Sequence, residues 1–275
     1  MTLRDALIEA SAGIDRRDAE VLLAHVLERD RAWLLAHPEA ELSAALLAEF
    51  RERVTRRAAR EPLQYITGGQ EFFGFGLHVT PATLIPRPET EHLVEAVLAW
   101  AALRSPATLR VLDVGTGSGA IAIALAKKLP SAEVSACDLS TAALAVARGN
   151  AERLGARVRF VASDLLEAFA EHPHLDVIAA NPPYVPQTDS ATLQVEVRDF
   201  EPRLALFAGA DGLDVYRRLI PQARSARRPG GLLAMELGFG QQEPLRELLA
   251  GWSDVRFVED YAGIARVVLA ERQQV

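Results

Sequence analysis

From residue 109 onward the chain alternates short apolar runs with segments of helical periodicity, and this alternation restricts the fold more than any other feature. The spacing predicts strands over 109–114, 133–137, 158–162, 177–180 and 232–236, with helices over 120–129, 141–154 and 215–227 among them. Apolar strands joined to helices by short turns specify an α/β fold, a mostly parallel sheet covered on both faces. The ending departs from that rhythm. After a helix over 242–250, the runs 255–259 and 265–270 are joined by only a short turn. Such a turn forces an antiparallel pair, so the last strand of a seven-stranded sheet should run against the rest.

The first 60 residues read differently. Leu3, Leu7 and Ile8, then Val21, Leu22, His25 and Val26, then Leu42, Leu46, Leu47, Phe50 and Val54 recur at helical spacing, with Ser43 as an N-cap. Glycine, proline and aromatic residues dominate after Glu61, which predicts a β-hairpin linker over 61–83. Two prolines in Ile85-Pro86-Arg87-Pro88-Glu89-Thr90-Glu91 hold an extended segment, and the acids behind Pro88 suit the first turn of a helix reaching about Leu103, before a break at Ser105-Pro106. At 275 residues the chain has length for about two domains, and the expected division is 1–60, 61–83 and 84–275.

Composition removes several classes of function. With 30 Lys+Arg against 37 Asp+Glu the net charge is −7, so the chain as a whole binds polyanions poorly. Arg51, Arg53, Arg56, Arg57 and Arg60 make one helix basic; a solvated face is the simpler reading, contact with an acidic partner such as RNA the sharper one. The one cysteine, Cys137, excludes a disulfide framework and fits a small buried residue inside a strand. The six histidines, His172 and His174 among them, have no convergent spacing, and no metal site is expected. Charges inside the first turn argue against a signal peptide, and the apolar runs break well before the ~18 residues a membrane span needs. A soluble cytoplasmic protein, a monomer by default, is the expectation.

Two loops carry the candidate chemistry. In Asp113-Val114-Gly115-Thr116-Gly117-Ser118-Gly119, between a strand and a helix, glycines let the backbone turn sharply and a ligand approach closely. The helix N-terminus beyond offers free N–H groups, and Asp138 at the end of the next strand can accept both hydroxyls of a ribose. This pairing suits a dinucleotide or S-adenosylmethionine. Asp164 is placed either to meet an adenine amino group or to cap a helix ahead of Leu165 and Leu166. The second loop is Asn181-Pro182-Pro183-Tyr184, at the carboxyl end of the strand ending in Ala180. Prolines have no N–H, so the carbonyls of Asn181 and Pro182 are free to face a ligand. An amide side chain plus a carbonyl acceptor matches a planar amino group, and Tyr184 can pack on its plane.

On these residues the chain resembles the HemK/PrmC family, which methylates the glutamine side chain of peptide chain release factors. The resemblance runs over nearly the whole length. It rests on the segment from Glu61 to Gly68, on Ile85 to Glu91, on the glycine loop and the Asn-Pro-Pro-Tyr corner. Further matches are Glu201-Pro202-Arg203, Gly209-Ala210-Asp211-Gly212-Leu213 with Tyr216-Arg217, and Asp260 to Arg266. It implies a class I, Rossmann-like S-adenosylmethionine methyltransferase domain joined by a hairpin to an N-terminal helical domain that docks the release factor. It further implies that Gly115, Thr116, Gly117, Ser118, Gly119, Asp138, Asp164, Leu165 and Asn181 hold S-adenosylmethionine. Asn181, Pro182, Pro183 and Tyr184 would hold the glutamine, with Asn181, Pro182 and Tyr184 catalytic.

The nearest rival is an amino-methyltransferase acting on adenine in DNA or guanine in RNA, against which stand the net charge and the lack of a basic patch in the catalytic half. A dinucleotide-dependent oxidoreductase would leave the Asn181 corner without a task, and a non-catalytic cofactor sensor would consume nothing. Gly68-Gly69-Gln70 also spells the Gly-Gly-Gln of release factors, which a glycine turn explains more simply than self-methylation.

Overall fold

The computed structural model describes residues 1–104, 108–170, 174–260 and 262–271; Ser105, Pro106, His172 and Tyr261 lie outside the described residues. Helices α1 (Leu3–Ala10), α2 (Arg16–Leu27), α3 (Arg31–Ala36), α4 (Ala44–Ala58) and α5 (Leu63–Thr67) come first. A hairpin of β1 (Gly69–Phe72) and β2 (Phe75–His78) follows, then a 3-10 turn at Pro88–Thr90 leading into α6 (Glu91–Ala102). The remainder is β3 (Arg110–Val114), α7 (Ala120–Lys128), β4 (Glu133–Asp138), α8 (Thr141–Leu154), β5 (Val158–Ala162), β6 (Leu175–Ala180), α9 (Val195–Phe200), α10 (Asp214–Ala226), β7 (Arg227–Glu236), α11 (Gln242–Leu248), β8 (Ser253–Glu259) and β9 (Ala265–Glu271). These elements fall into two compact units, Met1–Gly69 with Gln194–Phe200, and Gln70–Leu193 with Glu201–Val275.

In the helical unit each early helix starts on a side chain that accepts an otherwise unpaired N–H: Thr2, Asp15, Asp30 and the expected Ser43. Leu3, Leu7, Leu22, Leu23, Phe50 and Ile66 form its core. Ile8 is exposed, because it falls about 100° around α1 from Leu7, while Ala6 and Ala10 complete the buried stripe. The basic helix resolves into ion pairs. Arg51 binds Glu9 at 2.7 Å, Arg53 binds Glu49 at 2.7 Å, and Arg56 binds Glu61 at 2.6 Å. Arg57 is shared between Asp18 at 2.6 Å and Glu196 of α9 at 3.1 Å, and Arg60 reaches Glu196 at 2.9 Å. The arginine run is therefore already matched by acids of its own unit.

The hairpin is shorter than expected. Where the composition suggested an extended linker from Glu61, residues Leu63–Thr67 are helical, with Tyr65 and Ile66 buried. Pro62 is tolerated just ahead of a first helical residue, and Gly68 ends the turn at φ +71°, where a side chain would be strained. The hairpin itself occupies only Gly69–His78.

The second unit is built on a seven-stranded sheet in the order β5-β4-β3-β6-β7-β9-β8. β3 pairs in parallel with both β4 and β6, and β6 with β7; β9 is antiparallel to β7 and to β8. The last strand in the chain thus runs against the rest, as its short connection requires, but it inserts inside β8 rather than at the edge. Alternate residues feed opposite cores. Val111, Val177 and Leu232 pack with Leu93, Val97 and Trp100, whereas Leu112, Ile178 and Leu233 pack with Tyr216, Leu219 and Leu245. Strand order reverses between β3 and β6, and in sheets of this kind ligands bind outside the carboxyl ends at such a reversal. Val114 and Ala180 are register partners, so Gly115 and Asn181 leave the sheet side by side.

Candidate active site

The β3 corner is made of backbone and braced by two acids. The Gly115 and Thr116 N–H groups donate to the Cys137 carbonyl at 2.9 and 3.0 Å, and Gly117 N–H donates to Asp138 Oδ2 at 2.9 Å. Asp138 Oδ1 accepts from Ser140 N–H at 2.8 Å. Asp113 is fully buried beneath the loop, where its Oδ2 accepts from Thr116 Oγ1 at 2.6 Å and from Ala122 N–H at 3.1 Å. Its Oδ1 has no hydrogen-bond partner among the described residues, and burial pushes the carboxyl up to about 7. Burial also raises the Asp138 carboxyl, against the N–H groups that hold its charge.

The glycines of this corner differ in purpose. Gly115 and Gly117 have φ of +72° and +55°, and a Cβ on either would meet nothing within 4 Å. Gly119, at φ +86°, has no such room: a Cβ there would lie 3.0 Å from Ile123 and 3.2 Å from Ala147, so this glycine lets α7 pack on α8. Beside them Asp164 binds Arg218 at 2.7 Å, and Ser163 Oγ takes the N–H of Ala168, so the Asp164 carboxylate is not a helix cap. Leu165 stands in the left-handed region at φ +50°, and its carbonyl accepts from the Cys137 thiol at 3.3 Å. Burial pushes that thiol up to about 12, in keeping with a small buried residue.

The β6 corner is held by side chains from distant parts of the chain. Asn181 Nδ2 donates to Thr90 Oγ1 at 3.1 Å. The Tyr184 hydroxyl donates to Glu236 Oε1 at 3.2 Å, and its carbonyl accepts from Gln241 Nε2 at 3.0 Å. Gly212 approaches so closely that a Cβ would sit 2.2 Å from the Tyr184 carbonyl oxygen. Tyr216 donates to the Glu236 carbonyl at 2.7 Å. Glu236 is buried, and burial raises its carboxyl to about 7 despite the Thr90 and Tyr184 hydroxyls. Two of the motifs noted in the sequence meet nearby: buried Glu201 accepts from the Arg87 guanidinium and, at 3.3 Å, from Ile85 N–H.

Between the two corners lies a cavity of about 360 Å³ lined by Gly115, Thr116, Gly117, Ser118, Asp138, Asp164, Leu165, Asn181 and Pro183. Thr90, Leu139, Leu204 and Phe207 complete much of its wall. Gly119, Pro182 and Tyr184 are not among the residues that line it. Sequence reasoning missed Thr90, Gly212, Glu236 and Gln241 as site residues. Thr90 and Gly212 lie inside recognised motifs, and Glu236 is an acid ending an apolar strand; Gln241 has no signal of its own. The volume suits a small-molecule cleft. S-adenosylmethionine fits the residues present, since two left-handed glycines leave the space a Cβ would fill and an acid ends the second strand.

Comparison with known proteins agrees. Residues 2–68 match the PrmC N-terminal domain and residues 95–198 the methyltransferase small domain. The release factor glutamine methyltransferase of Koribacter versatilis is 45% identical over 281 residues, covering 99% of both chains. That of Bordetella pertussis is 48% identical over 269 residues, covering 97% of this chain and 98% of its own. Among solved structures, the T. thermophilus rRNA methyltransferase RsmC, in complex with AdoMet and guanosine, shares the fold at a TM-score of 0.58 and 20% identity, over 74% of this chain and 50% of its own. The hMettl16 catalytic domain does so at 0.59 and 18%, over 84% and 83%.

Proposed function

The chain belongs to the release factor glutamine methyltransferase family, and from this premise we propose that it methylates the side-chain amide nitrogen of the glutamine in the GGQ motif of class 1 peptide chain release factors, with S-adenosylmethionine as donor. The observation that carries the reading is the β3–β6 register, which sets the open glycines and the Asn181 corner side by side on one cavity.

When bound, S-adenosylmethionine supplies an electrophilic methyl group on a sulfonium. Gly115 to Gly119, Asp138, Asp164, Leu165 and Asn181 would hold it, with Gly119 acting through the packing of α7. The substrate amide is a poor nucleophile because its lone pair is delocalised into the carbonyl. Alignment is therefore the main task, and holding reactants in line can remove several kcal/mol of a barrier, up to about 7–11 in ideal cases. Asn181 Oδ1 and the Pro182 carbonyl accept hydrogen bonds from the two N–H groups of the glutamine amide, which favours pyramidal nitrogen and directs its lone pair. Pro183 and Tyr184 pack beside the amide and exclude water. The nitrogen gains the methyl group and sheds one N–H proton to water; because the alkylated amide is strongly acidic and the departing thioether is neutral, a strong buried base is not the first requirement.

The helical unit docks the release factor, and the protein acts as a cytoplasmic monomer. Pairing of Arg51, Arg53, Arg56, Arg57 and Arg60 with acids of that unit supports a protein substrate over a nucleic acid. Among the described residues no helix is long and apolar enough to cross a membrane. Incubation with methyl-labelled cofactor and either a release factor or DNA, followed by mapping of the label, tests the function. Label on the GGQ glutamine is expected; label on DNA, or none on the glutamine, overturns it.

A further inference from the structure

A buried side chain ties the β2 end of the hairpin to the glycine loop. Asn150 of α8 is 1% exposed and is not among the residues lining the cavity. Its carboxamide pairs with both main-chain groups of His78, the last residue of β2. Oδ1 accepts from the His78 N–H at 2.7 Å, and Nδ2 donates to the His78 carbonyl at 2.8 Å. Nδ2 also donates to the Ser118 carbonyl at 2.9 Å. Arg153, exposed and three residues further along α8, donates to Asn150 Oδ1 at 3.1 Å and to the Gly76 carbonyl at 2.6 Å. A carboxamide has two N–H bonds and two lone-pair directions, and here all four are used.

The bond to Ser118 acts on a peptide that its neighbours leave free to turn. Ser118 lines the cavity between Gly117, at φ +55°, and Gly119, at φ +86°. In a trans peptide the carbonyl and the following N–H point opposite ways. Asn150 holds the Ser118 oxygen, and the Gly119 N–H on the other side donates to the Thr116 carbonyl at 2.8 Å. Turned over, the same peptide would set the Ser118 oxygen against the Thr116 oxygen and lose both bonds. His78 fixes the sense of the lock, because an amide whose oxygen takes the His78 N–H has only N–H left to offer Ser118.

We infer that Asn150 is a positioning residue that locks the Ser118–Gly119 peptide of the cofactor loop to the end of the hairpin, so that affinity for S-adenosylmethionine depends on the hairpin staying seated on α8. This goes beyond the choice of methyl acceptor and rests only on the cavity taking S-adenosylmethionine. An unlocked loop binds only in the fraction of molecules whose peptide is correctly turned. Kd then rises by the inverse of that fraction, while the loaded site is unchanged. The coupling is reciprocal, and bound cofactor tightens the hairpin on Asn150 in turn.

Asn150→Asp keeps the shape and the bond to the His78 N–H but faces two carbonyl oxygens with an acceptor. Calorimetry should find its Kd for S-adenosylmethionine raised about 30-fold, with kcat at saturating cofactor within about threefold of wild type. Arg153→Met, on the surface, loosens the same lock from the hairpin side and should raise Kd about threefold. In cofactor-free protein both variants should speed hydrogen exchange at the Gly119 N–H. In wild type, cofactor should slow exchange at the His78 N–H more than at the amides of β8 and β9, which share only global opening. Unchanged affinity in both variants, or Gly119 exchange that neither alters, overturns the proposal. So does a loss of kcat as large as the loss of affinity, the mark of a general distortion. Should Asn150→Asp not fold, Arg153→Met and the wild-type exchange decide. A wild-type protein that binds no S-adenosylmethionine would instead remove the reading of the cavity, and Gly119 exchange in the cofactor-free variants would still decide the lock.

Discussion

The β3 and β6 corners open on one cavity from neighbouring strands, yet they are built by opposite means. At β3 the backbone is exposed to the cavity through glycines, and its N–H groups are tied down by Asp138 and the Cys137 carbonyl, the immediate neighbours in the sheet. At β6 two prolines supply no N–H, and the corner is fixed by Thr90, Gly212, Glu236 and Gln241. The first corner is a local solution, a short loop that carries its own instructions. The second is a tertiary one, as rigid as the contacts that reach it from elsewhere. A cofactor cradle of the first kind serves many reactions; placement of one particular nitrogen needs the second.

The contrast can be broken most directly at Gly212. An alanine there would combine a left-handed backbone with a Cβ 2.2 Å from a main-chain oxygen that has no freedom to move. Strain and overpacking together should cost about 4 kcal/mol of stability, read from urea unfolding, with turnover falling alongside. A variant within about 1 kcal/mol of wild type, and fully active, would show that the β6 corner does not depend on its distant supports.

Next comes Asn181→Ala, expected to remove about 3 kcal/mol of barrier lowering, more than a hundredfold in kcat, while cofactor affinity changes little. An equal loss in both quantities would mean that Asn181 belongs to the cradle rather than to the substrate. The smallest effect on the fold is expected from Gly117→Ala, about 1 kcal/mol, since only its φ of +55° is unfavourable and the Cβ meets nothing. That Cβ would occupy the cavity, so calorimetry should find cofactor binding weakened far more than stability. Stability lost without any change in binding would mean that the open side of the β3 loop faces away from the ligand.

The two corners also divide what could be read in advance. Strands β3 to β7, helices α7, α8 and α10, and the antiparallel ending follow from period 2 and period 3.6, because the face a residue buries is a local property of its element. The expected hairpin from Glu61 failed over Leu63–Thr67, where burial of Tyr65 and Ile66 prevailed over a composition that suggested turns. Asp164 shows the middle case. Its neighbourhood was legible, but not that Arg218, from α10, would take its carboxylate.

By itself the sequence determined the alternation, the glycine loop, the acid that braces it and the Asn-Pro-Pro-Tyr corner, since each lies within one element or one turn. The tertiary structure alone decided which way Asn181 presents its amide and what steadies Tyr184. Those bonds join residues 91 and 52 positions apart. No periodicity spans such separations; only the packing of α6, β6 and β7 against one another brings Thr90 to Asn181 and Glu236 to Tyr184, where burial makes the order of donors and acceptors matter.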